Sequence, residues 1–133
     1  MIILDLNYKK MKKYGGVLLI CGDKFLLGQR SDKGNFPKCW SVFGGEIEEG
    51  ESIVEGIKRE LFEETEIESD NIRYVPFETQ WDMGYPYDLY LGYCNEEYEC
   101  KLNDENIDWG WFDLNDLPKP LFPTLFSSLT RIF

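Results

Sequence analysis

Three glutamates near the middle of the chain are spaced so that their carboxylates can converge on one ligand. Glu60, Glu63 and Glu64 stand at positions i, i+3 and i+4, and side chains at these spacings emerge on one face of a helix. Like charges so placed destabilise a helix by about 0.2–0.5 kcal/mol per pair unless a cation neutralises them. The positive charge of Arg59 neutralises part of the negative charge of these glutamates, and a hard divalent cation such as Mg²⁺ or Mn²⁺ would neutralise more. A solvated acidic helix face is the alternative that spacing alone leaves open.

The composition restricts the remaining chemistry to carboxylates, hydroxyls, amines, thiols and bound metal. The 133 residues include no histidine, which excludes Ser-His-Asp and Cys-His catalysis, histidine bases and His-containing zinc sites. The four cysteines form no CxxC pair, so we expect buried free thiols, with a disulfide as the alternative. These cysteines are Cys21, Cys39, Cys94 and Cys100.

The charge balance bears on the partners of the protein. With 25 acidic and 14 basic residues the net charge is −11, and such a surface repels phosphate backbones, so we expect no nucleic-acid groove. A small phosphorylated ligand stays compatible, because a bound cation inverts the local charge. No apolar run approaches the roughly 20 residues of a membrane span, and the N-terminus lacks the pattern of a signal peptide. We expect one cytoplasmic domain over residues 1–133, without membrane contact.

Hydrophobic spacing predicts an α+β (α/β) fold, a mixed sheet between helices. Residues 1–13 are expected to form a loose leader or a short edge strand. Residues 31–38 and 46–52 are expected to be loops, and a helix is expected from residue 51 or 52 to about 65, with Ser52 as a plausible N-cap. Strands are expected at 17–20, 25–30, 39–43, 72–81, 87–94 and 109–112, and a closing helix at 123–132.

The segment from Gly45 to Ile67 reads GEIEEGESIVEGIKRELFEETEI. It resembles the Nudix box, in which a glycine, five residues, a glutamate and seven residues precede R-E-U-x-E-E-x-G-U, where U is a bulky apolar residue. Eight of the nine fixed positions match in register: Gly45, Glu51, Arg59, Glu60, Leu61, Glu63, Glu64 and Ile67. Glu66 stands where the family has glycine, which implies either strain or a different exit from the helix.

This resemblance implies Mg²⁺-dependent hydrolysis of a nucleoside diphosphate linked to another moiety, with Mn²⁺ as a substitute cation. The matching positions imply that the metal is held by Glu60, Glu63 and Glu64 with the Gly44 carbonyl, and that Arg59 orients a box carboxylate. Either Glu60 or Glu105 would be the general base, and the sequence does not choose between them.

The sequence predicts the residues that contact the substrate less specifically than it predicts the metal ligands. Arg30 would clamp a phosphate or serve a structural surface role, and Glu51 would tie the loop to the helix or bind metal indirectly. Trp81, or one of the nearby aromatics Tyr85, Tyr87 and Phe36, would stack on a base, although hairpin packing or a subunit contact is the simpler explanation for each of them. We expect a small-molecule nucleotide as substrate, and the family resemblance permits a homodimer.

Two other functions use the same fold. One is a catalytically weak module that senses a nucleotide or binds a partner, although an intact set of Arg59, Glu60, Glu63 and Glu64 argues against it. The other is isoprenoid diphosphate isomerase, which in that family relies on a catalytic cysteine and a longer chain.

Overall fold

The structure, a computed structural model, describes residues 12–133. It contains one seven-stranded sheet and two helices. The strands are β1 (Lys13–Cys21), β2 (Lys24–Arg30), β3 (Trp40–Ser41), β4 (Phe43–Ile47), β5 (Arg73–Gln80), β6 (Tyr87–Tyr93) and β7 (Asn106–Phe112). The helices are α1 (Ile53–Thr65) and α2 (Leu125–Ile132), and no helix of the described residues is long and apolar enough to cross a membrane. The predicted α+β fold with a mixed sheet is confirmed.

The sheet runs in the order β3-β2-β1-β6-β5, with β4 paired to β1 and β7 paired to β2. Strand β1 is central, because it is parallel to β6 and antiparallel to both β4 and β2. Val17 and Leu19 join the core beneath α1, whereas Leu18 and Ile20 join the core beneath α2. Each face of the sheet is therefore covered by one helix, and β1 reads as a continuous apolar run because both of its faces are buried.

Helix α1 begins and packs as its sequence predicts. The Ser52 hydroxyl accepts from the Glu55 backbone N–H at 3.1 Å, and the Glu55 carboxylate accepts from the Ser52 N–H at 2.8 Å. This reciprocal capping box fixes the start of the helix. Ile57 and Leu61, one turn apart, are fully buried against the sheet, and each contributes roughly 1.5–3 kcal/mol. Their burial sets the rotation of α1 and thus the direction of the glutamates in its last two turns.

Strand β4 corrects the predicted loop at 46–52, because the strand continues to Ile47. The predicted strand at 39–43 stops before Gly44, but Gly44 lies within β4, and a Cβ on it would lie 2.2 Å from the Gly15 carbonyl oxygen of β1. The glycine is therefore required by a close strand approach and does not mark a turn. Other boundaries also shift: β1 begins earlier, at Lys13, and β7 begins earlier, at Asn106. The prediction for residues 1–11 lies outside the described residues.

The cysteine prediction is right about the thiols and only partly right about burial. All four are free, so the disulfide alternative does not apply. Cys94 is buried, whereas Cys21, Cys39 and Cys100 are partly exposed. Burial raises the pKa of the Cys94 thiol to about 11 and that of the Cys100 thiol to about 12. Both groups are therefore protonated, weak nucleophiles at neutral pH.

Glu66 ends α1 in the left-handed conformation, with φ 60° and ψ 18°, which is the glycine-type exit with a side chain added. This conformation costs an L-residue roughly 1–2 kcal/mol, partly offset in a glycine variant by the greater entropy of its unfolded chain. We expect Glu66→Gly to raise the free energy of unfolding by about 0.5–1 kcal/mol, measured by urea denaturation. Glu68→Gly is the matched control, because Glu68 is exposed and its backbone lies outside the left-handed region. This variant should not raise the free energy of unfolding.

Helix α2 is fastened to the edge strand β5 by an ion pair. Arg131 donates to both carboxylate oxygens of Glu78, and this contact lowers the pKa of the Glu78 carboxyl to about 2. The pair therefore stabilises the fold fully above the unfolded pKa of about 4.5, and the contribution is lost as pH falls from there towards 2.

We expect Glu78→Gln to lower the free energy of unfolding at pH 7 by about 1–2 kcal/mol, a figure reduced because Arg131 is half exposed. The gap between wild type and variant should close between pH 4.5 and pH 2, as measured by urea denaturation at each pH. Glu97→Gln removes an exposed carboxylate and should show no such convergence. A gap that stays constant with pH would contradict the assignment.

Candidate active site

One helix and one loop bring three carboxylates together at the end of α1. Glu60 and Glu64 project from the helix, and Glu105 comes from the residue just before β7. One oxygen of each carboxylate lies within 4.8 Å of the others. Glu64 is also held from the sheet side, since its Oε1 accepts from the Gly44 backbone N–H at 2.9 Å. The carboxylate oxygens of the three residues therefore form one cluster of possible metal ligands between helix α1 and the sheet.

The carboxylates of this cluster are electrostatically unfavourable without a cation. Burial raises the pKa of Glu64 to about 10, with the neighbouring carboxyls of Glu105 and Glu60 adding to the effect. Burial also raises the pKa of Glu60, against the opposing effect of Arg59. An all-oxygen donor set with excess negative charge, in which Glu64 is buried and Glu60 partly buried, fits a hard divalent cation that would favour the ionised forms. Glu60, Glu64 and Glu105 are the residues that could hold it.

Arg59 connects the loop before the helix to the carboxylates on it. Its Nε and Nη2 donate to the two oxygens of Glu51 at 2.7 and 3.0 Å, a bidentate pair. Its Nη1 donates to Glu60 at 3.2 Å and to Glu63 at 3.0 Å, and Nη2 also donates to the Glu46 carbonyl. These contacts place Arg59 where it orients carboxylates, and they place Glu51 between the loop and the helix, since Glu51 also accepts from the Glu48 N–H at 2.8 Å.

The structure does not bring every predicted metal ligand together. The Glu63 side chain is half exposed and bonds to Arg59, and it lies outside the cluster of Glu60, Glu64 and Glu105. The Gly44 contact described above is made by its N–H. Gly45 has another role, since a Cβ there would lie 2.6 Å from the Glu60 carboxyl carbon. The missing side chain leaves room for Glu60 to enter the site.

A cavity of about 450 Å³ opens beside the carboxylates. Gly44, Gly45, Glu64 and Glu105 line one end of it. Arg30 lines it too, and its Nε donates to the Asn35 carbonyl at 2.9 Å. The aromatics Phe36, Tyr85 and Tyr87 line it as well, together with residues that the sequence analysis did not single out: Gln80, Phe122, Thr124 and Ser128.

Trp81 does not line this cavity and is 61% exposed. Gln80, its neighbour, does line the cavity. Trp81 lies just beyond the end of β5, so its contact with a base stays a prediction that the cavity lining does not support.

Tyr87 is one of the aromatic residues that line the cavity. The phenolic end of the Tyr87 side chain lies against Gly16, and a Cβ at that position would overlap the phenolic oxygen. Burial raises the pKa of Tyr87, and the nearby charge of Glu64 adds to this effect. The hydroxyl is therefore neutral at pH 7 and can donate a hydrogen bond.

Comparison with known proteins decides the family. The NUDIX domain model matches residues 12–131. The chain belongs to the Nudix family of hydrolases. It is 30% identical over 107 residues to the oxidized purine nucleoside triphosphate hydrolase of Mus musculus, covering 79% of this chain and 68% of that protein. It is 32% identical over 112 residues to the nucleoside triphosphatase NudI of Escherichia coli K12, covering 72% and 77%.

A third relative is longer. The NAD-capped RNA hydrolase NudC of Pseudomonas aeruginosa PAO1 is 34% identical over 115 residues, which cover 84% of this chain but 40% of that protein. Among solved structures, a Nudix-family hydrolase of Clostridium perfringens has a TM-score of 0.74 at 19% identity, covering 92% of this chain and 95% of that one. The Ap4A hydrolase of C. elegans has a TM-score of 0.73 at 23% identity, covering 90% and 94%. These structures show the shared Nudix fold.

Proposed function

We propose that this Nudix hydrolase cleaves a phosphoanhydride bond in a nucleoside diphosphate linked to another moiety, and that it requires Mg²⁺, with Mn²⁺ as a substitute. Candidate substrates are (d)NTPs and compounds of the NDP-sugar or ADP-ribose type. The observation that carries the proposal is the opening of the 450 Å³ cavity onto the cluster of Glu60, Glu64 and Glu105. A nucleotide lying in that cavity places its phosphates beside the carboxylates.

Glu60, Glu64 and Glu105 would hold the cation. When bound there, Mg²⁺ shields the phosphate charge, polarises a phosphoryl oxygen and lowers the pKa of the attacking water. Glu105 is the exposed member of the three, whereas Glu60 is tied to Arg59. We therefore assign Glu105 the role of general base, in which its carboxylate oxygen that does not hold the cation would take the proton of the attacking water. Arg59 keeps Glu60 in place, and Arg30, which lines the same cavity, would contact the phosphate chain.

The net charge of the protein bears on its proposed partners. A net charge of −11 favours a small nucleotide over an RNA chain, although one relative is named as an NAD-capped RNA hydrolase. We further propose that residues 1–133 form one domain and act in the cytoplasm, and a homodimer stays a prediction.

The proposal is tested by phosphate-coupled turnover across nucleoside triphosphates, oxidised nucleotides, ADP-ribose, sugar nucleotides and dinucleoside polyphosphates. Each reaction is run with Mg²⁺, with Mn²⁺ and with EDTA. We expect cleavage of one group that EDTA abolishes. If no substrate of the panel is cleaved and calorimetry detects no Mg²⁺ binding, the proposal is overturned and a nucleotide-sensing or partner-binding module is favoured.

A further inference from the structure

Glu105 is the member of the carboxylate cluster whose position depends least on packing. Glu60 and Glu64 project from α1, which packs on the sheet, whereas Glu105 lies in the loop before β7 and is exposed. Its carboxylate stands beside two others of the same charge, and such charges repel each other. Without a further contact the Glu105 side chain would turn towards solvent, so its direction depends on the backbone that carries it.

The ladder between β7 and β2 does not by itself fix the backbone at Glu105. Gln29 of β2 pairs with Asp108. The next residue of β2, Arg30, pairs with Asn106, two residues earlier in β7. Strand β7 therefore contains one extra residue here, a bulge of the kind that bends a strand and interrupts its pairing. Glu105 lies immediately beyond this irregularity, so other contacts must hold it.

Asn103 supplies one of those contacts. Its Oδ1 accepts a hydrogen bond from the Glu105 backbone N–H at 3.0 Å, which closes a turn of two residues. Because an N–H needs an acceptor, the Asn103 amide must present its oxygen here and not its nitrogen. The Glu105 carbonyl accepts from the Ser31 N–H at 3.0 Å. Both backbone polar groups of Glu105 are therefore bonded.

The backbone of Asn103 is fixed in turn to the end of α1. Its N–H donates to the Glu64 carbonyl at 3.4 Å, and the Lys101 N–H donates to the Thr65 carbonyl at 2.9 Å. The residue that provides the buried carboxylate of the cluster thus also anchors the loop that presents the exposed one. The side-chain hydrogen bond of Asn103 connects this anchor to Glu105.

We propose that Asn103 is a positioning residue for hydrolysis, whose amide oxygen holds the Glu105 backbone so that the carboxylate faces Glu60 and Glu64. Asn103 does not line the cavity, and it acts through Glu105 without touching substrate. Loss of the hydrogen bond reduces the fraction of molecules in which the cluster is complete, which lowers kcat more than it raises KM. The inference rests on the proposed function, because it takes Glu105 as cation ligand and general base.

Substitutions of Asn103 test this role by kinetics and by Mg²⁺ titration without substrate. Asn103→Ala should lower kcat about tenfold, leave KM within about twofold, and weaken Mg²⁺ binding about threefold or more in calorimetry. Asn103→Asp keeps an acceptor at the same position and should keep kcat within about threefold of wild type. Asn103→Ser, a weaker acceptor in such turns, should fall between them, and it decides if Asn103→Ala does not fold.

Asp113→Ala is the matched control for the loss of one local hydrogen bond. Asp113 Oδ1 accepts from the Asn115 N–H at 2.8 Å, which is the same two-residue turn at the other end of β7. Asp113 is partly buried, as Asn103 is, and does not line the cavity. Each alanine variant should lower the thermal midpoint by about 2–5 °C, but Asp113→Ala should keep wild-type kcat and Mg²⁺ affinity.

A double-mutant cycle with Glu105→Gln shows whether Asn103 acts through Glu105. Glu105→Gln alone should lower kcat by at least about a hundredfold, and adding Asn103→Ala should lower it less than about twofold further. A further tenfold loss in the double variant, or wild-type kcat and Mg²⁺ affinity in Asn103→Ala, would overturn the inference. A wild-type protein without metal-dependent turnover would instead refute the proposed function, and the Mg²⁺ titrations would still decide the role of Asn103.

Discussion

Glu64→Gln should lower kcat/KM for the cleaved nucleotide by about a thousandfold, equal to roughly 4 kcal/mol of transition-state stabilisation. Glu64 is the most buried of the three clustered carboxylates, at 4% exposure, and Gly44 fixes its position. An amide there keeps the shape but brings no negative charge to the cation. Steady-state kinetics at several Mg²⁺ concentrations would measure the loss of kcat/KM, and calorimetric titration of Mg²⁺ would measure the loss of affinity for the cation.

Two variants of the same type make this result specific. Glu63→Gln removes a carboxylate that bonds to Arg59 outside the cluster, and we expect a loss of about tenfold or less. Glu49→Gln removes an exposed carboxylate of the preceding loop and should leave kcat/KM unchanged. If Glu63→Gln proves as harmful as Glu64→Gln, the cation is held by the helix face and not by the cluster with Glu105.

Arg59→Met should lower both stability and activity, because one guanidinium donates hydrogen bonds to three carboxylates. The side chain is 24% exposed, so the loss reflects partly screened charge–charge contacts and should amount to about 2–3 kcal/mol in the free energy of unfolding. We also expect kcat/KM to fall about a hundredfold, because Glu60 loses the partner that orients it. Urea denaturation in EDTA and in Mg²⁺ would show whether the cation restores part of the stability, as we expect.

Arg59→Lys separates charge from geometry. Lysine keeps the positive charge but cannot make the bidentate contact with Glu51, so its stability should fall between wild type and Arg59→Met. Arg73→Met, an exposed arginine that packs on the Tyr93 ring at 4.8 Å, is the control for loss of one arginine. An Arg59→Met protein as stable as Arg73→Met would contradict the positioning role.

Local sequence signals predicted the elements that are fixed by local interactions. The four-residue spacing of Ile57 and Leu61 and the capping residue Ser52 predicted α1 because a helix is decided within a few turns. The register of the Nudix box correctly predicted the family. Glu66 kept the left-handed exit despite lacking glycine, because the hydrogen bond from its N–H to the Phe62 carbonyl at 2.8 Å holds that cap.

The parts of the site that depend on pairing between distant segments were not predictable. Glu105 was selected by family resemblance, but its place beside Glu64 depends on the pairing of β7 with β2. Gln80 and Thr124 meet across 44 residues of sequence, and no local pattern reports such a contact. Helix periodicity placed Glu63 with its neighbours, but it could not show that Arg59 would hold that side chain away from the cluster.

The pairing of β1 with β6 has a consequence for how the polypeptide acquires its structure during synthesis. The central strand, complete at Cys21, has no parallel neighbour until Tyr87–Tyr93 exists, and the core on its second face stays open until α2 is made. Contacts between such distant segments are slow to form, since the intervening chain must first be ordered. A ribosome-bound fragment ending before residue 125 would therefore expose the apolar face of the sheet, and the nascent chain becomes protease-resistant only after α2 has emerged.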